Sequence, residues 1–289
     1  EGGSVRCAIN PQTGQELLYP QQRKGPSKTV WVAGAGPAGL TSALEAARLG
    51  HRVTVFEKER DVGGQIRYAS VPPFKGVYSD WIGWLERMAR RSGVEIRTGV
   101  ALDRETLREG RPDHVVVATG GEKVVPDVEG IDLPHVYDAW EILSGRVEPG
   151  SRVVVIGAGL IGMETADFLC DAVASVVVVE ALKRPPVSKL TSHGYMLHKR
   201  LRDAGCTLVF GAQVTKIEPG SVVVVGQGGQ ESTIEPVDQV VVAVGLRPKR
   251  ELADVCAGLG IPCSVVGDAN MPRRIIEATE EGARAAWEI

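Results

Sequence analysis

Residues Gly34–Glu57 read GAGPAGLTSALEAARLGHRVTVFE, and Gly157–Glu180 read GAGLIGMETADFLCDAVASVVVVE. Both stretches run from a first glycine to a terminal glutamate over the same interval of 23 residues. Each is preceded by a β-branched apolar run, TVWVA at 29–33 and RVVVI at 152–156, and each closes on another, VTVF and SVVVV. A helical pattern lies between the runs, so each stretch is one βαβ unit, present twice. Pro37 falls at the helix start, where its missing N–H costs nothing, and Gly50 falls where a left-handed residue ends the helix.

The self-similarity continues outward. HVVVATGG at 114–121 matches QVVVAVGL at 239–246, two returning strands that end in small residues. In the first copy a loop, GGQIRYASVPPFKG (63–76), precedes an amphipathic helix over 78–93 and a strand, VEIRTGV, at 94–100. In the second, a helix over 194–204 leads to the strand TLVFG and then to a hairpin turning at EPGS (218–221). The Pro- and Gly-rich stretch 121–150 links the copies, and the closing VVGDANMPRRIIEATEEGARAAWEI is expected to return to the first. The pattern predicts an α/β protein of two Rossmann-like dinucleotide-binding domains, the second inserted in the first. The expected division is an N-terminal segment 1–27, a first domain 28–122 with 246–289, and a second domain 123–245.

Composition narrows the function classes. A net charge of -3 over 289 residues gives no basic surplus for nucleic acid and no acidic tail. No run of about 18 apolar residues marks a membrane helix, and EGGSVRCAIN lacks the layout of a signal peptide, so a cytoplasmic location is expected. The chain begins at Glu1 rather than Met and stops straight after a helix-like stretch, and it is expected to be a piece of a longer polypeptide. The five cysteines are scattered with no C-x-x-C. That spacing argues against both a disulfide-stapled fold and a dithiol electron relay.

Chemistry enters through the glycines. Gly34, Gly36 and Gly39 form G-x-G-x-x-G between a strand and a helix: the first for a tight turn, the second for close approach of a diphosphate, the third for helix–strand packing. Unpaired N–H groups at the helix start favour that anion. Glu57 is placed to accept hydrogen bonds from ribose hydroxyls and to repel a 2′-phosphate. Gly157, Gly159 and Gly162 with Glu180 repeat the pattern for a second nucleotide and favour NADH over NADPH, while Lys183 and Arg184 leave a 2′-phosphate possible. The loop around Gly64 and Gln65 follows only the first copy and suits a longer ligand, which points to FAD there.

These stretches resemble the C-terminal FAD/NAD(P)-binding half of the 2,4-dienoyl-CoA reductase and trimethylamine dehydrogenase group, iron-sulfur flavoproteins related to old yellow enzyme. The matching motifs are GAGPAGL with FEKERDVGGQ, VVVATGG, GAGLIGMETADFL and GDANMPRRIIEATEEGARAA, which together cover nearly the whole chain. The resemblance implies FAD contacts at Gly34, Gly36, Pro37, Ala38, Glu57, Gly64, Gln65, Ala118, Thr119, Gly120, Gly267 and Asp268. For the second nucleotide it implies Gly157, Gly159, Leu160, Ile161, Gly162, Glu164, Glu180 and Gly245. RCAINPQTGQE resembles the segment around the last ligand of a 4Fe-4S cluster, which implies Cys7 as one metal ligand in the intact protein. It further implies an N-terminal FMN-binding TIM-barrel domain or subunit where a small-molecule substrate is reached, and a flavin-dependent NAD(P)H oxidoreductase that passes electrons from NADH through FAD and the cluster to FMN. A homo-oligomer is the expected assembly, without nucleic acid or membrane. The alternative, drawn from the amine dehydrogenase branch, is a non-catalytic module holding ADP.

Other conspicuous residues receive plain readings. No acid–base catalytic residue is singled out. Trp81, Trp84 and Met88 fall at helical spacing and read as core. Cys256 and Cys263, flanking AGLGIP in an expected loop, read as structural, as do Cys170 and Cys206. His193 and His198, on a basic helix without an evident carboxylate partner, read as solvated. Arg67, Arg273 and Arg274 are given no role.

Overall fold

The computed structural model describes residues 5–19 and 25–289. Residues 1–4 and 20–24 of the expected N-terminal segment lie outside the described residues. The chain divides into two compact units, one of them comprising the described residues within 1–67 together with 77–122 and 246–289, the other 68–76 with 123–245. The chain is α/β, with a parallel five-stranded sheet in each unit, as its pattern predicted.

In the first unit five parallel strands lie in the order Cys263–Val265, His114–Val117, Thr29–Ala33, Arg52–Glu57, Glu95–Thr98. These short runs are β-branched because helices cover both faces and leave no solvent side for polar residues to occupy. On one face Val30, Val32, Val53 and Val55 pack with Leu40 and Ala43 of helix Pro37–Arg48, with Trp81 and Leu85 of helix Val77–Arg91, and with Ala285 of helix Ile275–Glu288. On the other, Val115 and Val117 meet Leu107, Cys256 and Ile261. A Cβ on Gly282 would stand 2.2 Å from the Ala38 carbonyl oxygen, so a glycine is what lets the closing helix pack on the fingerprint helix.

The second unit repeats the plan. Its parallel strands run in the order Val136–Asp138, Gln239–Val242, Arg152–Ile156, Ser175–Glu180, Thr207–Phe210. Helices Ala139–Leu143, Leu160–Cys170 and Ser192–Asp203 cover one face. The other is covered by an antiparallel sheet of Ala212–Glu218, Ser221–Gly226 and Glu231–Ile234. The hairpin joining the first two of those strands turns at Pro219 and Gly220, the latter at φ +88°.

Some residues depart from their sequence-based readings. Trp81 is buried at 6% exposure, whereas Trp84 is 46% exposed and Met88 half-buried. The buried stripe of their helix follows Trp81, Ile82, Leu85 and Ala89, and Trp84 lies outside that arc. Cys256 and Cys263 do not flank a loop. Cys256 is fully buried in helix Glu251–Leu259, which ends in left-handed Gly260, and Cys263 opens a strand. Residues 68–76 group with the second unit, although the sequence places them within 28–122. No helix among the described residues is long and apolar enough to cross a membrane.

Candidate functional site

Each fingerprint glycine answers a different question when a Cβ is placed on it. Gly34 has φ +105°, and its Cβ would stand 2.3 Å from the Ala118 carbonyl oxygen. A Cβ on Gly39 would stand 2.0 Å from the carbonyl oxygen of Gly34. Both are glycine for internal reasons, a turn no L-residue adopts easily and a helix pressed on its strand. Gly36 is different: φ is -80°, and the nearest atom to its Cβ position is the Gly64 Cα at 4.0 Å. The second copy behaves alike. Gly157 and Gly162 would clash at 2.6 and 1.9 Å, whereas Gly159, at φ -67°, has nothing within 4 Å. Among the described residues nothing requires Gly36 or Gly159 to be glycine, so both sites leave an open cradle at a helix start, the shape a dinucleotide diphosphate fits.

The helix ends sharpen the contrast. Helices beginning at Arg104, Ala139 and Ser192 are capped by Asp103, Asp138 and Thr191. The two fingerprint helices have no side-chain cap and no acidic residue in the first turn. Their first N–H groups face the cradle without a side-chain acceptor, which is the electrostatic requirement for an anion there.

The glutamates close both turns. Glu57, 6% exposed, accepts from the backbone N–H of Ala35 at 2.8 Å and of Glu59 at 3.0 Å. Glu180 accepts from Ala158 and Leu182, both at 2.8 Å. Each carboxylate oxygen keeps a further lone pair for a hydroxyl. Lys183 and Arg184, which the sequence raised as 2′-phosphate partners, are exposed.

The first unit gathers its remaining predicted residues at the same edge of the sheet. The Cβ position of Gly64 lies 3.3 Å from the Gly36 Cα. Gln65 donates to Asp268 at 2.8 Å, and the Arg273 N–H reaches the other Asp268 oxygen at 3.2 Å. Burial pushes the Asp268 carboxyl above the usual carboxylate range, against the lowering effect of the two donors. Gly267, at φ +63°, donates its N–H to Glu281 at 2.8 Å, and Thr119 donates to the Lys249 carbonyl at 2.7 Å. Ala118 and Gly120 lie on the strand end beneath.

In the second unit Leu160 and Ile161 open the helix, and Gly245, at φ +108°, lies three residues beyond the returning strand Gln239–Val242 with no described atom within 4 Å of its Cβ position. Glu164 has partners the sequence did not disclose. Lys75 meets its Oε1 at 2.8 Å and His193 the same oxygen at 3.1 Å. His193 therefore has a carboxylate partner after all, and His198 is not solvated: it is 6% exposed, its Nε2 paired with the Val187 carbonyl at 3.0 Å. His193 meets a carboxylate from another helix, whereas His198 turns back onto the loop just before its own helix, 11 positions away.

The described cysteines form no disulfide. Cys170 and Cys206 share a thiol hydrogen bond that lowers the first and raises the second. Burial pushes Cys256 up to about 11. Cys7 is half-buried between Arg6, which pairs with Glu280, and Ala8, whose carbonyl accepts from Thr279 at 2.9 Å. Among the described residues no group of three or more His, Cys, Asp or Glu is placed to hold a metal ion.

Known proteins share this fold. The pyridine nucleotide-disulphide oxidoreductase family profile matches residues 28–273. An NADH oxidase of Thermoanaerobacter brockii is 37% identical over 99% of this chain and 44% of its own length. A 2-naphthoyl-CoA reductase structure superposes with a TM-score of 0.91 at 28% identity, covering 98% of this chain and 43% of that one. Histamine dehydrogenase from Rhizobium sp. 4-9 superposes with a TM-score of 0.85 at 25% identity, over 99% of this chain and 48% of that one. The resemblance read from the glycine motifs is borne out, and the chain spans less than half the length of these relatives.

Proposed function

This chain belongs to the pyridine nucleotide-disulphide oxidoreductase family, and from that premise we propose that its first fingerprint holds FAD and its second holds NADH in preference to NADPH. It is an FAD-dependent pyridine-nucleotide oxidoreductase module. The observation that carries the residue assignment is the pair of open cradles at Gly36 and Gly159 beside glycines that are internally obligatory.

At the first site Gly34 and Gly39 shape the turn, while Gly36, Pro37, Ala38 and Gly64 admit the diphosphate to the helix start. Glu57 takes ribose hydroxyls on the lone pairs that Ala35 and Glu59 leave. Ala118, Thr119 and Gly120 line the strand end, with Gln65 beside them. Gly267 and Asp268 meet the ribityl or diphosphate region. Both Asp268 oxygens accept hydrogen bonds, from Gln65 and from the Arg273 N–H, which holds the carboxyl in place there. At the second site Gly157, Gly159, Leu160, Ile161 and Gly162 receive the other diphosphate. Glu180 selects an unphosphorylated ribose, and Glu164 and Gly245 flank the path. Bound FAD supplies hydride acceptance from a reduced nicotinamide, and the chain's own share is to hold and orient both nucleotides.

The finer reading extends beyond this chain. Cys7 is one thiolate of a 4Fe-4S cluster whose other ligands lie outside the described residues, and an FMN-binding TIM-barrel domain or subunit completes the enzyme and reaches the small-molecule substrate. The half-exposure of Cys7 and the relatives' twofold greater length support this.

The test is to release the bound ligand by heat, identify it by absorbance and chromatography, and titrate the anaerobic holoprotein with NADH and NADPH separately. Stoichiometric FAD bleached by NADH is the expected result. Bleaching by NADPH alone would move selection to Lys183 and Arg184, and ADP without flavin, or flavin that neither nicotinamide bleaches, would overturn the reading.

A further inference from the structure

Four of the five cysteines meet another cysteine in space, although no two are neighbours in sequence. Cys256 and Cys263 share a thiol hydrogen bond in the first unit, as Cys170 and Cys206 do in the second. The sheet sets the second pair. Cys170 is the last residue of the fingerprint helix Leu160–Cys170, and a short turn then leads into strand Ser175–Glu180. Cys206 immediately precedes strand Thr207–Phe210, which pairs with Ser175–Glu180 in the register Val177↔Thr207. Cys206 is therefore level with Val176, beside the point where the chain coming from Cys170 enters the sheet. Its backbone N–H is fixed by the Leu201 carbonyl at 2.9 Å. Both cysteines pack against the buried cluster that holds Leu169, Val176, Leu197 and Leu201. Packing thus keeps the two sulfurs together before any oxidation.

Contact does not distinguish the two pairs, but access does. Cys256 is fully buried, whereas Cys170 and Cys206 are both half-buried. An accessible thiol with a second thiol beside it is the arrangement in which a sulfenic acid condenses to a disulfide before it is oxidised further. Within this pair the roles differ. Cys206 donates its S–H to Cys170, which steadies the Cys170 thiolate and pushes the Cys206 thiol up. Asp167 and Asp171 oppose ionisation of Cys170, but Asp167 is paired with Arg200. Cys170 is therefore the sulfur that reacts first.

We propose that Cys170 and Cys206 are a modification site, forming a reversible disulfide when the protein meets a hydroperoxide, with Cys170 oxidised first and Cys206 resolving it. The Cys170 thiolate attacks the peroxide and the O–O bond breaks. One oxygen stays on sulfur as a sulfenic acid, and the other leaves and takes up the proton lost on ionisation. Cys206 then attacks that sulfur: the S–S bond forms, the S–O bond breaks, and the oxygen leaves with the Cys206 proton as water. Two thiols lose two electrons and the hydroperoxide gains them, so hydrogen peroxide yields two waters. A small thiol reductant reverses the bond by exchange. The pair lies at the end of the fingerprint helix remote from the cradle, about 15 Å along the axis from Leu160. Its role is to spare a thiol from irreversible oxidation, not to relay electrons from a nucleotide.

The test is to reduce the purified holoprotein, free it of reductant and treat it with increasing hydrogen peroxide. Remaining thiols are then blocked with N-ethylmaleimide under denaturing conditions, and the unreduced digest is read by mass spectrometry. The expected product is a peptide pair joining Cys170 to Cys206, two hydrogens lighter than its parts and removed by dithiothreitol, while Cys256 and Cys263 are recovered as maleimide adducts. Cys206→Ser leaves Cys170 as a sulfenic acid that dimedone captures, and its sulfinic fraction rises about fivefold or more over the unaltered chain. Cys170→Ser leaves Cys206 a free thiol at the same dose. The unaltered chain decides the matter even where a serine variant fails to fold. Both Cys170 and Cys206 recovered as maleimide adducts at a dose that oxidises the exposed Met271 would overturn the proposal. So would a disulfide that forms first between Cys256 and Cys263, or Cys170 that reaches sulfinic acid in the unaltered chain as readily as in Cys206→Ser.

Discussion

Replacing Gly159 by alanine and, separately, Gly162 by alanine separates a glycine kept for a ligand from one kept for the fold. The two stand three residues apart in one helix start, and the change is a single methyl group in each. At Gly159 the backbone is at φ -67°, a value any L-residue accepts, and no atom lies within 4 Å of the added carbon. Gly159→Ala is therefore expected to melt within about 0.5 kcal/mol of the unaltered chain. The methyl does fill the cradle, and forcing a close contact with the diphosphate costs about 1–3 kcal/mol, or roughly 5- to 150-fold in Kd for NADH. At Gly162 the same carbon would stand 1.9 Å from the Gly157 carbonyl oxygen, a backbone atom that cannot step aside without moving the turn. Gly162→Ala is expected to lose about 3 kcal/mol or more of stability. Thermal melts of both variants with anaerobic NADH titrations provide the assay. The reasoning is refuted if Gly159→Ala binds NADH like the unaltered chain, or if Gly162→Ala melts with it.

If Glu180 repels a 2′-phosphate as proposed, Glu180→Ser should lower the NADH over NADPH preference in the flavin-bleaching titration about tenfold or more; an unchanged ratio would place selection elsewhere. Trp81→Ala should cost about 3–5 kcal/mol by urea unfolding because the ring is buried in the core of the first unit, while Trp84→Ala, at an exposed position of the same helix, should cost under about 1 kcal/mol. Burial, with Lys28 and His51 nearby, lowers His114 from 6.5 to about 4. Between those values the unfolded chain binds the proton that the folded chain refuses, so stability falls as pH drops through that window. His114→Gln should flatten the corresponding slope of melting temperature against pH.

Much of the fold was legible because its signals are local. Thr29 to Glu57 and Arg152 to Glu180 each encode a strand, turn, helix and strand within 29 residues, and apolar periodicity with glycine at forced positions is enough to read them. The pairing of Gln65 with Asp268 was not legible, although both residues were singled out, since nothing in either segment names the other. Trp84 misled because helical spacing narrows a stripe to an arc without fixing its centre, and the neighbours that set the centre are tertiary. AGLGIP looked like a loop because its glycines are poor helix formers, yet Cys256 is in a helix whose packing outweighs that propensity.

By itself the sequence determined the two βαβ units, the glycine pattern that leaves each helix start open, and the glutamate that closes each turn, because the backbone conformations and hydrogen bonds involved span few residues. Only the tertiary structure decided that Gly36 and Gly159 face open space, that residues 68–76 belong with the second unit, and that Lys75 reaches Glu164 across 89 positions of chain. A contact between distant segments is chosen by how two packed surfaces meet, and no local pattern in either segment carries that choice.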